Sequence, residues 1–270
     1  MEKIQILSER LYLRSPSINV CFRVVIEGIF DKNSIEKAIE AVCIRHPLLN
    51  SSVEIDKDNK AWLVPHNNII GFEYYKSNEM DWQEWYQKTD NITFNFSQNP
   101  LVKFCIIAGE NTEIIVLGHH IIGDGIGYLN LVKDVLLALD NRLVTTPQVP
   151  PYEPSDKYFK ETVLLEHGVY LFAKSLNEEW KQNPVRFSEK DYLEFFYSYR
   201  KKYVPNLYLA YVEGDNFQKL LEKAKTYGFT VNEFITSAFS IAAMETLNKN
   251  EIRLGVAASI RKELVSEPND

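Results

Sequence analysis

Residues 118–127 read Gly-His-His-Ile-Ile-Gly-Asp-Gly-Ile-Gly, directly after the apolar run Ile114-Ile115-Val116-Leu117. The chain has only 5 His and 11 Gly among its 270 residues. A His-His-x-x-x-Asp-Gly string arises by chance in such a chain with probability on the order of 10⁻⁴. A neutral imidazole, with an ordinary pKa of about 6.5, is suited to general-base work at neutral pH. Successive side chains on a strand point to opposite faces, so one histidine can hold the strand end from inside while the other faces a cleft. The same alternation keeps His119 and His120 from easily sharing a metal. No Cys/His cluster or His-Glu-x-x-His helix supplies further ligands, so no metal is expected. Asp124 could orient a histidine, as the third member of a triad does, or anchor the loop through an ion pair with an arginine. Gly123 and Gly125 read as permitting the turn through backbone angles that other residues resist, and Gly125 and Gly127 as leaving room for a substrate. On spacing alone, a histidine-rich strand end followed by an ordinary glycine turn accounts for the string equally well.

The elements that must position this string are legible from periodicity and turn chemistry. Residues 19–30 predict a strand. A helix follows, with Asn33 as cap, Glu36 completing a capping box, and Ile35, Ala38, Ile39, Val42 and Cys43 as its apolar stripe, ended by Pro47. Residues 51–55 and 60–64 predict a hairpin, 82–87 a short helix, and 102–108 with 113–117 a second strand pair. Tyr128, Leu129, Val132, Val135, Leu136 and Leu139 mark the buried side of a helix after the histidines. Pro147, Pro150, Pro151 and Pro154 then suggest an extended crossover. Beyond it, a helix is expected over 163–182, a strand over 206–212, a helix over 216–227 ended by Gly228, and a helix opened by Thr230 and Glu233. A last strand is expected over 252–259.

The pattern is α/β: residues 1–146 form one lobe, 147–202 a crossover, and 203–270 the beginning of a second, incomplete lobe. The composition is 45% hydrophobic, enough for a large core, and the net charge of −7 argues against a general nucleic-acid binder. Arg200-Lys201-Lys202 reads as a solvated loop. No apolar run reaches membrane-spanning length, and the N-terminus lacks a signal peptide's apolar core. Cys21, Cys43 and Cys105 read as buried thiols in a reducing cytoplasm, with a catalytic cysteine as a distant alternative.

The histidine string resembles the HHxxxDG signature of the condensation-domain and acyltransferase superfamily. That superfamily includes the condensation domains of nonribosomal peptide synthetases, polyketide-associated and plant CoA-dependent acyltransferases, and chloramphenicol acetyltransferase. Further landmarks follow in the superfamily's order: Arg45-His46-Pro47-Leu48-Leu49, Asn99-Pro100-Leu101, Thr230-Val231-Asn232, and Val256-Ala257-Ala258-Ser259-Ile260-Arg261. The plant branch's Asp-Phe-Gly-Trp-type motif has no counterpart.

The resemblance implies a chloramphenicol acetyltransferase-like lobe with helices packed on a mixed sheet, plus the start of a second such lobe. It implies acyl transfer from a CoA or phosphopantetheinyl carrier-protein thioester to an amine or hydroxyl acceptor. His120 would be the general base. His119 and Asp124 would be structural, with Arg261 as the partner of Asp124, and Gly125 would keep the substrate channel open. No permanent cofactor is implied; acyl-CoA or acyl-phosphopantetheine is a co-substrate. The alternative is a non-catalytic relative, or half-enzyme, that binds carrier proteins or partner subunits and completes itself by association. A cysteine- or metal-dependent hydrolase ranks far behind. His46 reads as packing near the helix end, Ser259 as an ordinary strand serine, and His66 and His167 as surface histidines. Trp62, Trp82, Trp85, Trp180 and the aromatic run 192–197 read as core or interface.

Overall fold

Asp31 starts the first helix of the computed structural model: its carboxylate accepts from the backbone N–H groups of Asn33 and Ser34 at 2.9 and 3.0 Å. The cap is therefore two residues earlier than the spacing of Asn33 and Glu36 predicts, because Asp31 offers a short acceptor just before the apolar stripe. The structure describes residues 3–6, 10, 12, 13, 15, 18–66, 70–92, 94, 96, 97, 100–147, several positions between 171 and 182, 188–203 and 206–255.

These residues form β1 (Ile4–Ile6), β2 (Asn19–Glu27), α1 (Lys32–Arg45), β3 (Ser51–Ile55), β4 (Ala61–Pro65), β5 (Phe72–Lys76), α2 (Trp82–Asp90), β6 (Val102–Ala108), β7 (Asn111–His119), α3 (Gly125–Leu139), α4 (Glu189–Lys202), α5 (Gly214–Thr226) and α6 (Val231–Leu247). The main sheet has the order β2-β7-β6-β5. It is mixed: β5 runs parallel to β6 and the other pairs are antiparallel. The expected α/β lobe, with helices packed on a mixed sheet, is what forms.

Strand β7 lies inside the sheet, buried on both faces, which is why Ile114–Leu117 is a continuous apolar run rather than an alternating one. Ile114 and Val116 face α1 and α3, packing with Ile35, Ile39, Val42, Leu131, Val132 and Val135. Ile115 and Leu117 face the opposite way, against Trp85 of α2 and Cys105. A smaller antiparallel sheet, β1-β4-β3, closes a third cluster in which Val53, Leu63, Phe94, Phe96 and Ile121 meet Tyr192 and Phe196 of α4.

Several expectations need correction. Strands β1 and β5 are not among the expected elements: β1 has only three residues, and β5 pairs in parallel with the distant β6 rather than with a neighbour across a turn. On α3 the buried side is Tyr128, Leu131, Val132, Asp134 and Val135, whereas Leu129 is 49% exposed. Tyr128, Val132 and Val135 are buried as expected, while Leu131 and Asp134 take the places expected of Leu129 and Leu136. Arg200 lies in the last turn of α4 and is packed rather than solvated, since it meets Asp90.

The described residues divide into two compact units, the first running to Asn206 and the second beginning at Leu207. Residues 206–213, where the second unit begins, form no strand. No described strand lies beside them to satisfy their backbone groups, and Tyr208 is 86% exposed. The two helices of this unit are joined at Gly228, which takes the left-handed φ of +74° that glycine favours. Thr230 and Glu233 form the expected capping box of α6. Residues 252–255 are not a strand, and the remainder of that expected element, like most of the expected 163–182 helix, lies outside the described residues.

Candidate active site

The two histidines sit where β7 runs out. The backbone N–H of His119 donates to Leu101 O at 2.9 Å, and that of His120 to Ile18 O at 3.0 Å. A short 3₁₀ turn over His120–Ile122 then reverses the chain. His119 caps that turn, its Nδ1 accepting from the Ile121 N–H at 3.2 Å. With Nδ1 an acceptor, the proton of the neutral ring sits on Nε2. That atom is buried and has no hydrogen-bond partner among the described residues. Phe94 and Phe96 stand nearly perpendicular to the ring, with centroids at 5.8 and 5.1 Å. Burial, with a smaller contribution from neighbouring His120, pulls the pKa of His119 down to about 4, so the ring is neutral at physiological pH.

The carbonyl of His119 is held as well. Tyr128, fully buried on α3, donates its hydroxyl to His119 O at 2.9 Å. The same burial raises the phenol well above its ordinary pKa. Tyr128 fits because residue 118 is glycine: a Cβ there would overlap the tyrosine ring. The sequence marks Tyr128 only as an apolar-face residue and does not single out Gly118. Their coupling is a packing fact that neither position announces alone.

His120 differs from its neighbour. It is half-buried, and its ring lies 4.2 Å from that of Tyr12 at a 38° tilt. Its Nδ1 is buried without a hydrogen-bond partner among the described residues. The edge of the ring left to meet another molecule carries Nε2.

Asp124 is the N-cap of α3, with Oδ1 accepting from the Gly127 N–H at 2.8 Å. Gly123 and Gly125 do not need the unusual backbone angles read from the sequence. Gly123 is extended, at φ 174°, a conformation open to any residue, and Gly125 is the first residue of α3. A Cβ at Gly125 would meet no heavy atom within 4 Å, and one at Gly123 would touch the Tyr128 ring at 3.5 Å. Arg261, the expected partner of Asp124, lies outside the described residues, as do Ser259, His167 and Trp180.

The Arg45-His46 segment is tied to α3 by a residue the sequence reading passed over. Asp134 Oδ2 accepts from Arg45 Nε at 2.7 Å and lies 2.7 Å from His46 Nε2. Burial lowers the pKa of His46, outweighing the opposing pull of Asp134. The available signal was a lone carboxylate between Leu131 and Val135 on an otherwise apolar helix face. His66 is exposed, with Nε2 2.9 Å from Ser52 Oγ.

The thiols are poor nucleophiles. Burial pushes Cys21 up to about 12 and Cys43 to about 11, and raises Cys105 as well. Among the described residues, no three His, Cys, Asp or Glu side chains are grouped to hold a metal, and no helix is long and apolar enough to cross a membrane.

The strand end thus seals one imidazole inside and leaves the next half-exposed, on an α/β scaffold. Residues 4–167 match the family described as Condensation domain, and the chain belongs to that family. It is similar to bacitracin synthase 1 of Bacillus licheniformis, 22% identical over 276 residues, covering 94% of this chain and 5% of that protein. It is also similar to a linear gramicidin synthase of Brevibacillus parabrevis, 24% identical over 277 residues, covering 95% of this chain and 5% of that protein. The chain thus spans about 5% of the length of these curated relatives. Among solved structures, the starter condensation domain of rhizomide synthetase is 22% identical, with 55% of this chain and 41% of that one covered and a TM-score of 0.44.

Proposed function

We propose that this chain carries the general-base half of an acyl-transferring condensation site, with His120 as the catalytic base. An amine or hydroxyl acceptor gives its proton to Nε2 of His120 as it attacks the carbonyl carbon of an acyl thioester. The tetrahedral intermediate collapses, the C–S bond breaks, and the imidazolium returns the proton to the departing thiolate. An amide or ester and a free thiol result, with no acyl-enzyme and no permanent cofactor. The donor is an acyl-CoA or an acyl-phosphopantetheinyl carrier protein, in line with the peptide-synthase relatives.

The observation that carries this reading is the division of labour at the strand end. His119 is buried and neutral, held through Nδ1 and its carbonyl, so it fixes the backbone from which His120 projects. Asp124 and Arg45–Asp134 act structurally, holding α3 under the site. The open space at Gly125 suits a passage for the acceptor or the pantetheine arm. The test is thiol release from acyl-CoA and acyl-pantetheine thioesters in the presence of amines, with His120→Ala as the comparison. His120-dependent release supports the reading.

A second reading is favoured by the second unit. On α6 no residue is buried, and Phe239 is 68% exposed on a largely apolar helix. Such a helix suits burial against another surface. A non-catalytic family member that binds carrier proteins or partner subunits would show saturable carrier-protein binding without turnover of any thioester.

A further inference from the structure

Helix α4 belongs to the first unit but is far in sequence from the histidines, and two separate lines of contact run from it to the end of β7. The first is polar. Arg200 Nη2 donates to Asp90 Oδ2 at 3.2 Å and to Asp90 O at 3.1 Å, while Nη1 donates to Asn91 Oδ1 at 3.2 Å. The side chains of Arg200 and Asp90 are only 9% and 12% exposed. The other carboxylate oxygen of Asp90 accepts from Asn19 Nδ2 at 2.8 Å. Asn19 opens β2 directly opposite His119, and Ile18 beside it accepts the backbone N–H of His120 at 3.0 Å. The second line is aromatic: Tyr192 packs on Phe96 at 5.9 Å, and Phe96 stands edge-on to His119 at 5.1 Å.

We infer that α4 is a clamp on the histidine pair, with Arg200 and Asp90 as positioning residues for His119 and His120. A planar guanidinium that engages the last carbonyl and the carboxylate of α2 fixes the end of that helix in one orientation. Asp90 then sets the position of Asn19, and with it the start of β2, which faces the histidines. The aromatic line seals the ring of His119 from the other side. The two lines meet the strand end at Asn19, Ile18 and the His119 ring, not at the His120 ring itself. The clamp's consequence for turnover rests on His120 being the base; the structural coupling does not.

The test is nuclear magnetic resonance on the intact chain with labelled histidines, read as ring chemical shifts, histidine titration curves and amide exchange at His120. Arg200→Gln and Asn19→Ala are compared with Ile39→Val, which perturbs the core under α1 and α3 instead. Asn19→Ala leaves the ion pair whole and cuts only its link to β2. It therefore answers the question even if Arg200→Gln fails to fold. Both clamp variants are expected to shift the His119 ring signals and raise His120 amide exchange roughly tenfold, as a local opening would, with Arg200→Lys intermediate. Ile39→Val is expected to leave both readouts near wild type. Clamp variants indistinguishable from Ile39→Val would overturn the inference. No substrate enters these readouts. A failure of the acyl-transfer reading would show instead as absent turnover in the wild type, with the histidine coupling intact.

Discussion

Protonating His119 should unfold this protein from the strand end outward, and the size of the effect follows from its surroundings. The ring is 2% exposed and sealed by Phe94 and Phe96; one nitrogen accepts from Ile121, and the other meets no acceptor among the described residues. Its folded pKa of about 4 lies below the 6.5 of an unperturbed histidine. Between those values the unfolded chain binds more protons than the native one, so stability falls as pH falls. At about 1.4 kcal/mol per pH unit, the gap corresponds to about 3 kcal/mol when fully expressed, with about 2–3 kcal/mol already lost by pH 4.5. The assay is urea unfolding of wild type and His119→Asn between pH 7.5 and 4.5. Asparagine retains an acceptor near the position of Nδ1 but does not titrate. Titrations elsewhere, including that of His46, are shared by the two proteins and cancel. The stability advantage of wild type should shrink by about 2–3 kcal/mol across this range. Parallel curves, or a His119 ring that titrates near 6.5, would refute the assignment of a sealed, neutral histidine.

Other outcomes follow from particular contacts. Gly118→Ala should cost at least about 1–3 kcal/mol, because the new methyl overlaps the Tyr128 ring. Gly125→Ala should leave the unfolding midpoint nearly unchanged while lowering acyl transfer, since its methyl enters empty space; equal losses at the two positions would contradict this contrast. Asp134→Ala should cost about 1–3 kcal/mol in chemical denaturation by removing the carboxylate that Arg45 and His46 share, while Arg45 keeps its hydrogen bond to Val144 O. Alkylation of the native protein at pH 8 should be slow at all three cysteines and leave activity intact, with mass spectrometry as the readout; rapid labelling at Cys21 or Cys43 would argue against their raised pKa values.

Several elements were readable because their signals are local. The capping box at Thr230, the hairpin around residues 56–59 and the apolar run of β7 each need only a few neighbouring residues to declare themselves. The histidine string declared itself by rarity. What stayed hidden depends on residues distant in sequence. Tyr128 fills the space left by Gly118, Asp134 gathers Arg45 and His46, and Arg200 reaches back to Asp90 across 110 positions. Periodicity also misled where a neighbour is needed: residues 206–212 have a strand-like composition, yet no described strand lies beside them to pair with. Of the two readings of the glycines, the one from unusual backbone angles does not hold at Gly123, which is extended, whereas the other, room beside Gly125, falls where a Cβ would meet no heavy atom within 4 Å.

His120 as the base is tested by single-turnover release of thiol from octanoyl-CoA and aminoacyl-pantetheine thioesters, with an amine acceptor, by wild type and His120→Ala. Circular dichroism and the unfolding midpoint are measured on the same samples. Wild type should show saturable release, lost by a factor of at least about 10²–10⁴ in the variant, with folding unchanged. Equal rates in the two proteins would contradict His120 as the base, and no release by either would leave the carrier-binding reading in its place.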